Sequence, residues 1–215
     1  MKSVLILGAG NFGSMLARQM NAQGYEIMIV DVRENLINAV MPFVTDAQIG
    51  DCTNPSFLRT LGVDNYDLCV VTISENFQTS LETTSLLKDL GAKQVISRAK
   101  NEIQEKFLLR NGADEVVYPE KQVALRLATK YSSERILDFL QFDGGYAIYE
   151  IVVPPEWFGK TLPLLDIRRR FGVNVISLRR AGQVRIPGPD DSFRDGDVVF
   201  AVGDRKSIQK CFHIR

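Results

Sequence analysis

The sequence predicts an α/β chain: a parallel sheet covered by helices, followed by a smaller α+β domain. Three observations carry this reading. From Lys2 to about Pro119, short runs rich in Val, Ile and Leu alternate with longer segments of helical period, the order expected of strands joined by helical crossovers. The apolar runs are continuous rather than alternating, as strands buried on both faces require. Beyond Asp143-Gly144-Gly145 the pattern becomes strand-rich, with turns marked at Pro187-Gly188-Pro189 and Asp195-Gly196-Asp197.

In chain order, strands are expected at Val4 to Leu7, Ile27 to Val30, more weakly Val44 to Ile49, then Leu68 to Ile73, Gln94 to Ser97 and Glu115 to Tyr118. Helices fall between them at Asn11 to Gln23, Asn35 to Met41, Pro55 to Leu61, Phe77 to Leu90 and Asn101 to Arg110. Gly24, Gly62, Gly91 and Gly112 follow helical segments where a left-handed cap is favoured, and Asn54-Pro55 supplies a cap with a first-turn proline. A long crossover helix is expected from Glu120 to about Leu140. Its apolar residues divide between one face (Val123, Ala124, Leu127, Ala128, Tyr131) and another (Leu125, Ile136, Phe139, Leu140), so it needs cover from two sides. This gives a first domain over residues 1–140 and a second over 141–215. The second holds strands at Tyr146 to Val153, Val173 to Arg179, Val184 to Ile186 and Val198 to Val202, with helices at Leu162 to Phe171 and Arg205 to Phe212.

Composition narrows the function. Twenty-six basic residues balance twenty-six acidic ones, so no global charge draws the chain to nucleic acid or to anionic lipid. Runs such as Leu68 to Ile73 and Ile148 to Pro155 fall far short of the ~20 apolar residues of a membrane helix, and the apolar run before Gly8 is too short for a signal peptide, so a cytoplasmic protein is expected. Cys52, Cys69 and Cys211 lack metal or redox spacing, and the single His213 cannot supply a zinc site alone.

The strongest chemical signal is Gly8-Ala9-Gly10-Asn11-Phe12-Gly13, after an apolar strand and before a helix. Gly8 allows the tight turn, Gly10 admits a phosphate to the backbone, Gly13 lets helix and strand pack closely, and the helix's first amides face the phosphates. Asp31 ends the second strand 23 residues after Gly8, where a carboxylate accepts ribose hydroxyls and repels a 2′-phosphate. The pair points to a Rossmann-like domain that binds NAD or a plain adenine nucleotide, with Arg33 a candidate to soften the repulsion or a solvated loop arginine. Two loops, Gly50-Asp51-Cys52-Thr53 and Thr72-Ile73-Ser74-Glu75-Asn76, follow the third and fourth strands and border the same crevice. Asp51 is a candidate for an adenine amino group or for a turn, and Arg98 for a phosphate or for a surface ion pair. A dehydrogenase would need a proton donor, yet a Tyr-x-x-x-Lys pair is absent: Gln122 stands four residues after Tyr118 and Arg135 four after Tyr131. The nucleotide therefore reads as a signal, with a small NAD-dependent oxidoreductase as the competing reading.

These features, with Asn111-Gly112-Ala113-Asp114, Pro119-Glu120, Phe171-Gly172-Val173-Asn174-Val175-Ile176 and Asp195-Gly196-Asp197, run in order along essentially the whole chain. The chain resembles the regulator-of-conductance-of-potassium proteins, or KTN proteins, of the Trk and Ktr type. The resemblance implies a cytosolic homodimer assembled into a ring, commonly an octamer, that docks on a potassium-translocating membrane subunit at the inner face of the membrane. It implies gating by NAD, NADH, ATP, ADP or AMP in the N-terminal cleft. Members that discriminate ATP often carry Arg where this chain has Asn11, which favours NAD(H), ADP or AMP. By the same resemblance Glu120 is a candidate ligand for a divalent cation, and Asp166, Ile167, Arg168, Asn174 and Pro189 are candidates for a cyclic di-AMP site.

Overall fold

The computed structural model describes residues 2–214. The chain divides into two compact units, Met1–Glu120 and Lys121–Arg215. In the first, the order is β1 (Ser3–Leu7), α1 (Asn11–Ala22), β2 (Glu26–Asp31), α2 (Glu34–Val40), β3 (Asp46–Ile49), α3 (Pro55–Thr60), β4 (Leu68–Val71), α4 (Phe77–Asp89), β5 (Val95–Arg98), α5 (Glu102–Arg110) and β6 (Glu115–Val117). The six strands pair in parallel in the order β3-β2-β1-β4-β5-β6. The chain winds outward from β1 to β3, then crosses to β4 on the other side of β1. That reversal opens a crevice at the carboxyl ends of the strands.

Alternation along β1 explains why its run is apolar throughout. Val4 and Ile6 pack with Ala17 of α1 and with Ile37 and Val40 of α2. Leu5 and Leu7 face the other way, toward Leu58 of α3 and Leu87 of α4. The edge strand β3 is mostly exposed, which is why its sequence signal is weak. Asp114, in the turn before β6, accepts the Val95 amide at 2.7 Å and pairs with Lys88, tying α4, β5 and β6 together.

In the second unit, α6 (Pro119–Lys130), whose first two residues belong to the first unit, leads to β7 (Ile136–Gln141), β8 (Tyr146–Val152), α7 (Leu162–Leu165), α8 (Ile167–Phe171), β9 (Asn174–Arg180), β10 (Gln183–Arg185), β11 (Val198–Asp204) and α9 (Arg205–Cys211). Its antiparallel sheet has the order β10-β9-β11-β8-β7. Trp157 anchors the core, with ring centroids 4.7 Å from Phe212 and 5.2 Å from Phe193. The buried Asp197 carboxylate is held by the Arg180 fork and by the Arg194 amide.

Two elements differ from the sequence reading. The helix expected to reach Leu140 ends at Lys130, and Ile136–Gln141 is the strand β7, joined to β8 through Asp143-Gly144-Gly145. A bulge between Ile136 and Asp138 breaks the in-out alternation of β7, leaving Ile136, Phe139 and Leu140 at spacings that imitate a helix. The glycine pair is thus a hairpin turn inside one sheet, and the two units part at Glu120 and Lys121 rather than at residue 140. The helix expected over Leu162 to Phe171 breaks into α7 and α8 at Asp166, whose φ of 43° is left-handed.

Candidate functional site

At the carboxyl ends of β1, β2, β4 and β5 the first unit encloses a cavity of about 690 Å³. Its wall brings together Gly8, Gly10, Asn11, Phe12, Asp31, Asp51, Cys52, Thr72, Ser74, Glu75, Asn76 and Arg98. Gly13 and Thr53 do not line it: Gly13 packs against the Gly8 carbonyl, and Thr53 donates its amide and hydroxyl to Asp51. Met15, Val30, Val32, Arg33, Leu36, Ile73 and Thr79 complete the lining. Of these, only Arg33 carries a charge, and its spacing of two residues from Asp31 was its only signal in the sequence. Ile73 belongs to a loop the sequence already placed at the crevice, whereas Met15, Val30 and Leu36 were hidden because they continue strand and helix periodicity.

The turn from β1 to α1 is built by close backbone approach. Gly8 has φ of 112°, and its carbonyl accepts Thr72 Oγ1 at 2.7 Å, which locks the turn to the end of β4. Gly13 lies so near that carbonyl that a Cβ would fall 2.0 Å from it. Gly10 caps α1 without any side-chain hydrogen bond, and a Cβ there meets nothing within 4 Å. The first amides of α1 have no helical acceptor and point outward with the positive end of the helix dipole. Residues and backbone therefore fit a phosphate.

Asp31 lies at the end of β2 with only 5% of its surface exposed. Burial pushes its carboxyl up, but hydrogen bonds from the Arg33 side chain and from the Ala9 and Arg33 amides outweigh that and hold it below the usual range. Arg33 also donates to Glu75 Oε1 at 2.9 Å. Asp51 accepts the amide and hydroxyl of Thr53 through one oxygen, a turn that leaves its other oxygen without a hydrogen bond among the described residues, and these bonds lower its pKa. Burial pushes the Cys52 thiol up to about 12, so it is a packed hydrophobe and not a nucleophile.

Arg98, at the end of β5, donates to Ser74 Oγ at 3.4 Å, pairs with Glu120 and stands 5.2 Å over the Phe12 ring. Its Nε is buried with no hydrogen-bond partner among the described residues, a spare donor of the kind an anion takes up. Glu120 is engaged by that guanidinium. Among the described residues no group of three or more His, Cys, Asp or Glu side chains is arranged to hold a metal.

In the second unit, Asp166, Arg168, Asn174 and Pro189 are exposed. Ile167 is not: its side chain is 4% exposed within the core, so the residue offers a ligand only its backbone.

Among the described residues no helix is long and apolar enough to cross a membrane. Comparison with known proteins agrees with the two-unit organisation. The TrkA-N domain model matches residues 4–119 and the TrkA-C domain model residues 147–214. The Ktr system potassium uptake protein C of Bacillus subtilis (strain 168) is 33% identical over 210 residues, 97% of this chain and 95% of that protein. The Ktr system potassium uptake protein A of the same organism is 29% identical over 97% of this chain and 95% of its own length. A solved structure of the GsuK channel bound to NAD has the same fold, with a TM-score of 0.67 and 17% identity over 99% of this chain, which spans 39% of that channel chain. Two domain models matched in series and a relative of this identity along nearly its whole length show that the chain belongs to the TrkA-N/TrkA-C family, alongside the Ktr potassium uptake proteins.

Proposed function

We propose that the chain is the nucleotide-sensing regulatory subunit of a potassium uptake system, and that it gates a separate membrane subunit without catalysing a reaction. One observation carries this: the Gly8-Gly10 turn at the start of α1, the buried Asp31 carboxylate and an Arg98 Nε without a hydrogen-bond partner among the described residues share one crevice at the strand ends. The α1 amides would hold the phosphates, Asp31 the ribose, and Arg98 the phosphate edge opposite the cradle. Asn11 brings no charge to a terminal phosphate, which favours AMP, ADP or NAD(H) over ATP.

In this reading copies of the chain form a dimer and then a ring on the cytoplasmic side of the partner, and nucleotide binding changes the ring's shape. A divalent cation at Glu120 would have to displace Arg98, and its remaining ligands would come from the nucleotide or a second copy. Cyclic di-AMP remains the candidate ligand for Asp166, Arg168, Asn174 and Pro189 in the second unit.

Titration calorimetry with AMP, ADP, NAD, NADH and ATP tests the cleft. Asp31→Ala is expected to weaken the nucleotides that bind by about 1 to 3 kcal/mol, the loss of a charged hydrogen-bond acceptor. Unchanged affinity in that variant would reject the site.

A further inference from the structure

Asp31 has no acceptor capacity left for a ligand. Its Oδ2 accepts the Ala9 amide at 2.8 Å and Arg33 Nη2 at 3.2 Å, and its Oδ1 accepts the Arg33 amide at 3.0 Å and Arg33 Nε at 3.0 Å. An ionised carboxylate offers about four lone-pair sites, so all are taken. Two of the donors are backbone amides fixed by the fold. The other two belong to one guanidinium, on a side chain 40% exposed.

That guanidinium also crosses the crevice. Through Nη1 it reaches Glu75 Oε1 at 2.9 Å, in the loop between β4 and α4, and all three residues line the cavity. The two arms are unequal. Glu75 is 77% exposed and contributes little, whereas the arm to the buried Asp31 is a bidentate fork.

We propose that Arg33 is a displaceable strap: its guanidinium holds the Asp31 carboxylate where a ribose would sit, and a nucleotide with a free ribose diol binds by exchanging the guanidinium for its own hydroxyls. The proposal rests on the nucleotide reading of the cleft. It names Arg33 as the residue that sets how strongly the diol is rewarded. Because only the open fraction of the protein can take the ribose, apparent affinity falls by that fraction. A ligand lacking the hydroxyls has nothing to exchange and leaves the strap in place.

The test is titration calorimetry of AMP and of 2′,3′-dideoxy-AMP against the full chain and its Arg33→Ala and Arg33→Lys variants. Arg33→Ala should bind AMP about three- to tenfold tighter, the range for a partly exposed bidentate pair, and should bind dideoxy-AMP as the parent does. Preference for the diol then widens by that factor. Arg33→Lys keeps the charge without the fork and should fall between, and it carries the test if Arg33→Ala melts early. AMP binding that is unchanged or weaker in the variants, or a gain equal for both ligands, overturns the strap while leaving the cleft reading intact. Failure of AMP to bind the parent and every variant overturns the cleft reading and the strap with it.

Discussion

A Cβ built on Gly13 lands 2.0 Å from the Gly8 carbonyl oxygen and 2.6 Å from Thr72 Oγ1, whereas one on Gly10 meets nothing within 4 Å and sits at an ordinary φ of −63°. Glycines three residues apart in one motif therefore do different work. Gly13→Ala must push backbone aside and should cost about 1 to 3 kcal/mol in urea unfolding, as overpacking does. Gly10→Ala should unfold like the parent yet lose nucleotide in calorimetry, because its methyl group stands where a phosphate would approach. Titration behaviour is also set residue by residue. Burial pushes the Asp197 carboxyl up, but the Arg180 fork and the Arg194 amide prevail and hold it below its ordinary 3.8. A carboxyl lowered by folding contributes stability that is fully present above the unfolded value and is lost as pH falls through the folded one. Thermal melts should therefore show the parent losing stability below about pH 4, and Asp197→Asn should be less stable at pH 7 with a shallower acid decline.

At the scale of the element, α4 shows how one side chain serves both fold and site. Asn76 accepts the Gln78 amide at 2.9 Å and the Thr79 amide at 3.3 Å, capping the helix from the cavity wall. Asn76→Ala should cost about 1 kcal/mol in urea unfolding. Caps and buried strands of this kind are legible in sequence because their signal is local: an Asn before a helical run, or an apolar run bounded by turn residues. The β7 strand was illegible because its bulge replaced alternation with helix-like spacing, and the break at Asp166 was illegible because nothing local marks a left-handed aspartate. The cradle, Asp31 and Arg98 could be read from position along the chain. The filling of Asp31 by Arg33 could not, since it depends on where a flexible guanidinium settles. Correcting β7 also changes which variants report on assembly. Ile136 is 6% exposed in the core, so Ile136→Glu unfolds the unit, while Leu125 of α6 is 44% exposed and its loss leaves the core intact. Leu125→Glu should melt like the parent and lower the mass measured by light scattering if copies meet through α6.

For the whole molecule, the proposed function requires that nucleotide binding and gating form a single equilibrium. A ligand shifts a ring between two shapes only by the difference in its affinity for them, so tight binding alone predicts no gating. Linkage makes the coupling reciprocal: a nucleotide that opens the partner must itself bind more tightly when the open partner is present. The strap adds a prediction of its own. Removing Arg33 strengthens AMP binding to every shape in which Asp31 is accessible, so it should lower the nucleotide concentration needed for half-maximal response without necessarily changing the maximal flux. The experiment reconstitutes a cognate membrane subunit in liposomes, adds the parent chain or Arg33→Ala with AMP, ADP, ATP, NAD or NADH, and follows rubidium uptake. The expected result is flux that depends on both the chain and the nucleotide, with a lower half-point for the variant, and with no attachment to liposomes that lack the partner. Flux indifferent to the chain and to every nucleotide, together with steady turnover of NADH on a small substrate, would instead make the crevice the site of an oxidoreductase.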